Sequence, residues 1–155
     1  IEEAINRHAA SVIVNLGFAS AKRNVTLEVL GKNLMDSGYA DANGDLYTGL
    51  RIDPSADDSY YANVDAPALE AFLKQKRILS EISTDADTFI CNSILFNISR
   101  RIRDDVLNAQ NILIHFPWTD TYASSQKIPA GKTVLRENDV AAAVGYAISF
   151  LGTEG

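Results

Sequence analysis

Three short apolar runs limit what this chain can fold into: "SVIVNLG" at 11 to 17, "RILSEIST" at 77 to 84 and "NILIHF" at 111 to 116. Each is short for a helix, carries β-branched residues and is bounded by polar or turn-forming residues, the pattern of a buried strand. Between them lie segments of helical period. "PALEAFLKQK" (67 to 76) has Pro67 at a first helical position and Leu69, Phe72 and Leu73 at helical spacing. "CNSILFNISRRIRDDVL" (91 to 107) and "RENDVAAAVGYAISFLG" (136 to 152) read the same way, the second ended by Gly152. Residues 1 to 8 look like the last turns of a helix, and "VTLEVLGKNL" (25 to 34) alternates loosely as strand or irregular chain. Strands separated by helices predict one α/β domain over residues 1–155: a three-layer sandwich, its sheet mostly parallel, with helices on both faces. The Gly-, Asp- and Asn-rich stretch from 36 to 58 is the surface excursion, and its "ANGD" is a turn signal because Asn-Gly tolerates positive φ.

Composition excludes several classes. At 155 residues the chain can bury a sizeable core without staples, and no apolar stretch approaches the roughly 18 residues of a membrane span. A net charge of -6 repels phosphate backbones, so neither nucleic acid nor membrane is expected as a partner. Arg100, Arg101 and Arg103 are followed at once by Asp104 and Asp105, which reads as a solvated helix end. The single cysteine rules out an intrachain disulfide and suits a reducing cytoplasm. The sequons at Asn24 and Asn97 carry no weight without a signal peptide. The opening "IEEAINRHAA", helical and without an initiator Met, is read as the remainder of a longer N-terminal segment.

Cys91 falls after a strand and a short loop, in the first turn of a helix. Unpaired backbone N–H groups and the positive helix end favour a thiolate there. Flanked by Phe89, Ile90, Ile94 and Leu95, a lone cysteine is, without other evidence, more often inert packing. His115 raises the odds of chemistry: it ends a buried strand, where ligands bind in open α/β sheets. If the two strand ends are neighbours about 4.8 Å apart, thiol and imidazole meet above the sheet edge. His8 has no such partner and reads as structural or solvated. One Cys and two distant His give no zinc spacing, and the Gly-Lys segments match no phosphate loop. Trp118 reads as a rim anchor, and Val140, Val144, Ile148 and Leu151 as an ordinary core face.

"NLGFASAKRNVTLEVLGKNLMD", "ADTFICN" and "ILIHFP", in that order, together resemble the pyroglutamyl peptidase type I family of cysteine peptidases. Gly17, Ala19, Arg23, Glu28 and Asn33 fall on its first pattern, and Asp41 and Gly44 on its second. Ala86, Thr88, Phe89, Cys91 and Asn92 fall on the third, and Ile114, His115 and Pro117 on the fourth. The likeness runs from about residue 7 to 151 and implies a hydrolase-like α/β fold. It implies Cys91 as nucleophile, His115 as general base and then acid, and Glu28 as the carboxylate that orients the imidazole. Gly17, Phe18 and Phe89 would line the pocket for an N-terminal pyroglutamyl residue. No cofactor is implied, and family analogy suggests an oligomer.

The chain also departs from the family. About 50 N-terminal residues of the family have no counterpart in this chain, and a companion chain that supplies them is among the expected partners. The arginine that the family places near the oxyanion aligns with Gly38. Asp87 replaces a glycine four positions before Cys91, and Ile112 another in the histidine motif. Three readings follow: a working pyroglutamyl peptidase, a divergent relative with changed substrate or weak activity, or a non-enzymatic α/β binding module that keeps Cys91 and His115 as packing residues.

Overall fold

The computed structural model describes residues 2–153. The strands are β1 (Val12–Phe18), β2 (Val25–Glu28), β3 (Leu30–Lys32), β4 (Ser59–Tyr61), β5 (Ser80–Ser83), β6 (Gln110–Phe116), β7 (Trp118–Thr119) and β8 (Val134–Leu135). The helices are α1 (Glu2–His8), α2 (Ala66–Gln75), α3 (Ile90–Arg103), α4 (Asp120–Ser125) and α5 (Glu137–Thr153). The main sheet is open, in the order β1-β6-β2-β5. Of its three pairings, β1 with β6 and β2 with β5 are parallel, and β2 with β6 is antiparallel. The sheet is therefore mostly parallel, as expected, but reverses at its middle.

Alternation along the strands assigns each layer, because successive side chains point to opposite faces. Val25 and Leu27 of β2, with Ile112 and Ile114 of β6, join Leu69 and Leu73 of α2 and Ala143, Ala147 and Leu151 of α5 in the main core. On the other face Leu113 packs with Leu95 of α3 in a smaller cluster. Thr26, Glu28, Asn111 and His115 share that second face and are all buried. One sheet face is thus apolar and the other polar, with α3 lying over the polar one.

Several details differ from the sequence reading. The buried line of α5 is Val140, Ala143, Ala147 and Leu151, whereas Ile148 is 49% exposed. The alanines face the sheet because small side chains let helix and strands approach. The arginines ending α3 are not simply solvated: Arg100 pairs with Asp53 and Asp104, and Arg103 with Asp57, clamping the 53–58 segment onto the helix. The excursion expected from 36 to 58 is bracketed by β3 and β4, which pair antiparallel across it. Asn33 fastens it further, donating to the carbonyls of Asp53 and Asp57 and accepting from the Asp53 N–H. Its turn is the one expected: Asp41 accepts from the N–H groups of Asn43 and Asp45, and Gly44 has φ +89°.

Candidate active site

The polar sheet face brings the three predicted residues together. His115 stands opposite Thr26 in the antiparallel pair of β6 and β2, and Glu28 lies two residues farther along β2 on the same face. That diagonal is within reach of long side chains. His115 Nδ1 hydrogen-bonds Glu28 Oε1 at 2.9 Å, with both side chains almost wholly buried. Cys91 arrives from above as the second residue of α3, partly exposed.

The thiol and imidazole do not meet across neighbouring parallel strands, as the sequence reading supposed. The strand before Cys91, β5, is separated from β6 by β2 and runs opposite to β6. The loop after β5 instead carries the chain back over the sheet, so that α3 begins above Gly17. A Cβ built on Gly17 would stand 2.8 Å from Cys91 Sγ and 2.8 Å from His115 Nε2. Sulfur and nitrogen are therefore no farther apart than twice that distance, close enough for each to act on the other's charge. Glycine is required at 17 because a side chain would occupy the space of both the thiol and the imidazole.

Charge follows from this geometry. Burial works against a positive His115, but the hydrogen bonds and charges of Cys91 and Glu28 prevail and raise its pKa from 6.5 to about 9. The imidazole therefore holds its proton at neutral pH. Burial alone would raise the Glu28 carboxyl, but hydrogen bonds from His115 and Lys22 outweigh it and hold the group below its ordinary value. Lys22 is the member that sequence reasoning missed. Its Nζ lies 2.6 Å from the same Glu28 Oε1 and also donates to Ser83 Oγ and the Asp85 carbonyl. Arg23, which the motif pattern singled out, is exposed. Nothing periodic marks a lysine six residues before a glutamate, so only the fold reveals it. The buried Glu28 Oε2 has no hydrogen-bond partner.

Other motif residues hold α3 in place. Asn92, wholly buried, accepts from the Lys32 N–H and donates to the carbonyls of Lys32 and Leu34. Thr88 Oγ1 donates to the Asp36 carbonyl. The N-terminal turn of α3 has no side-chain cap, since Phe89 at the cap position offers none. Its free N–H groups can therefore face an anion near the sulfur. Asp87 explains its own departure from glycine: its φ is +66°, a left-handed position that Asp tolerates better than most, and its carboxylate accepts from the Thr88 N–H. It is exposed at the mouth of the cleft. Gly38, where an arginine was expected, is exposed, with nothing within 4 Å of where a side chain would begin.

The cleft has a volume of about 540 Å³ and is lined by Phe18, Ala19, Lys22, Phe89, Cys91 and His115 among others. Both expected pocket aromatics are present, Phe18 at 50% exposure and Phe89 partly buried. Among the described residues, no three His, Cys, Asp or Glu side chains converge as a metal site. No helix among them is long and apolar enough to cross a membrane.

Comparison with known proteins bears on the fold and the family. A pyrrolidone-carboxylate peptidase of an Enterobacter species is 25% identical over 149 residues, covering 96% of this chain and 68% of the relative. One from a Thermoanaerobacter species is 26% identical over 116 residues, covering 75% of this chain and 57% of the relative. The chain thus aligns with between about half and two thirds of these relatives. Among solved structures, pyroglutamyl peptidase I of Bacillus amyloliquefaciens superposes with a TM-score of 0.89 at 20% identity, covering 98% of this chain and 72% of that one. A variant pyrrolidone carboxyl peptidase of Pyrococcus furiosus gives 0.91 at 16% identity, covering 99% and 74%. Those likenesses establish the fold. The family model described as pyroglutamyl peptidase matches residues 1–151, and the chain belongs to that family.

Proposed function

We propose that this chain is a cysteine exopeptidase that removes pyroglutamate from the N-terminus of peptides through a thioester. The observation that carries the reading is the convergence of Cys91, His115 and Glu28 above Gly17. Cys91 sulfur, as thiolate beside the imidazolium, attacks the carbonyl carbon of the pyroglutamyl residue. The free N–H groups of the first turn of α3 face the developing oxyanion. The C–N bond breaks as His115 gives its proton to the leaving amine, and the shortened peptide departs. Water then attacks the thioester, losing a proton to the now neutral His115, and free pyroglutamate leaves. The imidazolium and thiolate are restored. Glu28 keeps Nδ1 protonated and the ring oriented throughout.

Pyroglutamate has no charged amine, so Phe18 and Phe89 suit it as apolar walls. With Gly38 in place of an arginine, the oxyanion relies on backbone donors. Loss of one such donor costs about 100- to 1000-fold elsewhere, so turnover is expected to be slow. The test is release of a fluorescent amine from its pyroglutamyl amide, with Cys91→Ser as control. Hydrolysis that disappears in the variant supports the reading. No hydrolysis overturns it, and alkylation of Cys91 by iodoacetamide at pH 6 no faster than free cysteine would show in addition that the thiol is not activated.

A further inference from the structure

A second, almost wholly apolar cavity of about 360 Å³ opens beside the cleft, lined by Phe18, Phe116, Pro117, Trp118, Thr119 and Tyr122. Phe18 lines both spaces and forms the wall between them. Its ring meets Trp118 edge-on at 4.7 Å between centroids, and Trp118 meets Tyr122 at 5.1 Å. The outer rings of this row, Phe18 and Tyr122, are 50% and 46% exposed. An exposed aromatic row beside a catalytic cleft is the kind of surface that marks a ligand site. No charged side chain lines this cavity, whereas the cleft itself is lined by Lys22, Asp85 and Asp87.

We propose that the row Phe18, Trp118 and Tyr122 is a subsite for a large apolar or aromatic side chain on the residue released with the leaving amine. The inference rests on the thiol-peptidase reading above, which fixes its direction. The acyl group must bond to Cys91 sulfur, and the leaving nitrogen must lie against His115. The chain that follows His115, Phe116 to Trp118, builds the new cavity, so the cavity lies on the leaving side. A side chain on the released residue would pass Phe18 into it. Acidic or basic side chains would find no partner there and would lose their hydration.

Trp118 is the only tryptophan in the sequence, so its fluorescence reports on the cavity directly. Phenylalanine amide, the released half of a substrate, should shift or quench that emission in the wild-type protein at concentrations where alanine amide does not. Pyroglutamyl-phenylalanine amide should be cleaved with kcat/KM about 10- to 100-fold above pyroglutamyl-alanine amide, the gain expected from burying a benzyl group. That ratio should fall toward one in Trp118→Ala. It should fall likewise in Tyr122→Ala, which removes an exposed ring and guards against a folding defect in the first variant. Cleavage of both peptides at equal rates, or a ratio that survives in both variants, overturns the subsite. Cleavage of neither overturns the peptidase reading instead, and the subsite falls with it.

Discussion

The two faces of the central sheet are built from alternate residues of the same strands and do opposite work. Val25, Leu27, Ile112 and Ile114 point to α2 and α5 and form the main apolar core, whereas Thr26, Glu28, Asn111 and His115 point to α3. On the second face the buried polar groups are answered by specific partners, Glu28 Oε2 excepted. Asn111 bonds Asn15, Asn63 and Ser99, and His115 bonds Glu28. Burial of apolar area holds one face and hydrogen-bond geometry the other. A change on the first face should therefore cost stability, and a change on the second should cost function.

Leu27→Ala gives the largest expected effect, a loss of about 2–5 kcal/mol in urea unfolding from a wholly buried position. Any surviving folded protein should keep its Cys91 reactivity, and loss of that reactivity in the folded fraction would break the division of labour. Gly17→Ala inverts the pattern: the new methyl displaces His115 and Cys91, and misplacement on this scale costs about 100-fold in turnover. Pyroglutamyl amide hydrolysis at matched folded concentrations checks it. Lys22→Met comes next. It leaves Glu28 with His115 alone, costing about 1.5–3 kcal/mol and tightening the hold on the His115 proton. The alkaline limb of the pH–rate profile should move upward, and Lys22→Arg should restore it in part.

The pH dependence tests the polar face as a whole. Because the folded pKa of His115, about 9, lies above its ordinary 6.5, its contribution to stability is complete below about pH 6.5 and is lost as pH rises through about 9. The rate of acyl transfer to Cys91 should fall over the same alkaline range, as the proton for the leaving amine disappears. NMR titration of the imidazole in wild type and Cys91→Ser should show the value drop when the sulfur is removed. The smallest effect belongs to Asp87→Gly. It relieves a positive φ but loses the bond to Thr88, so stability should change by less than about 1 kcal/mol in thermal unfolding.

How much of this could be read from the sequence depends on the kind of signal. The strands at 11 to 17 and 111 to 116 and the helix around 67 to 76 showed in their periodicity, and the motif spacing brought Glu28, Cys91 and His115 into view. Strand direction did not show, because alternation looks the same whichever way a strand runs, so the antiparallel meeting of β2 and β6 had to come from the fold. β7, β8 and α4 were too short to leave a pattern. Lys22 was invisible because its meaning depends on a carboxylate brought near by the bend before β2. On α5, hydropathy ranked Val144 and Ile148 above the alanines, but close packing against the sheet favours the smaller side chains.

The solitary thiol carries a further consequence. Cys91 is partly exposed, and the 155 residues contain no second thiol to resolve it once oxidised. A sulfenic acid formed there has no resolving thiol among these residues, so unless a thiol from outside them captures it, further oxidation takes it to the irreversible sulfinic acid. Peroxide treatment should silence the protein, and a small external thiol should revive it only if added early.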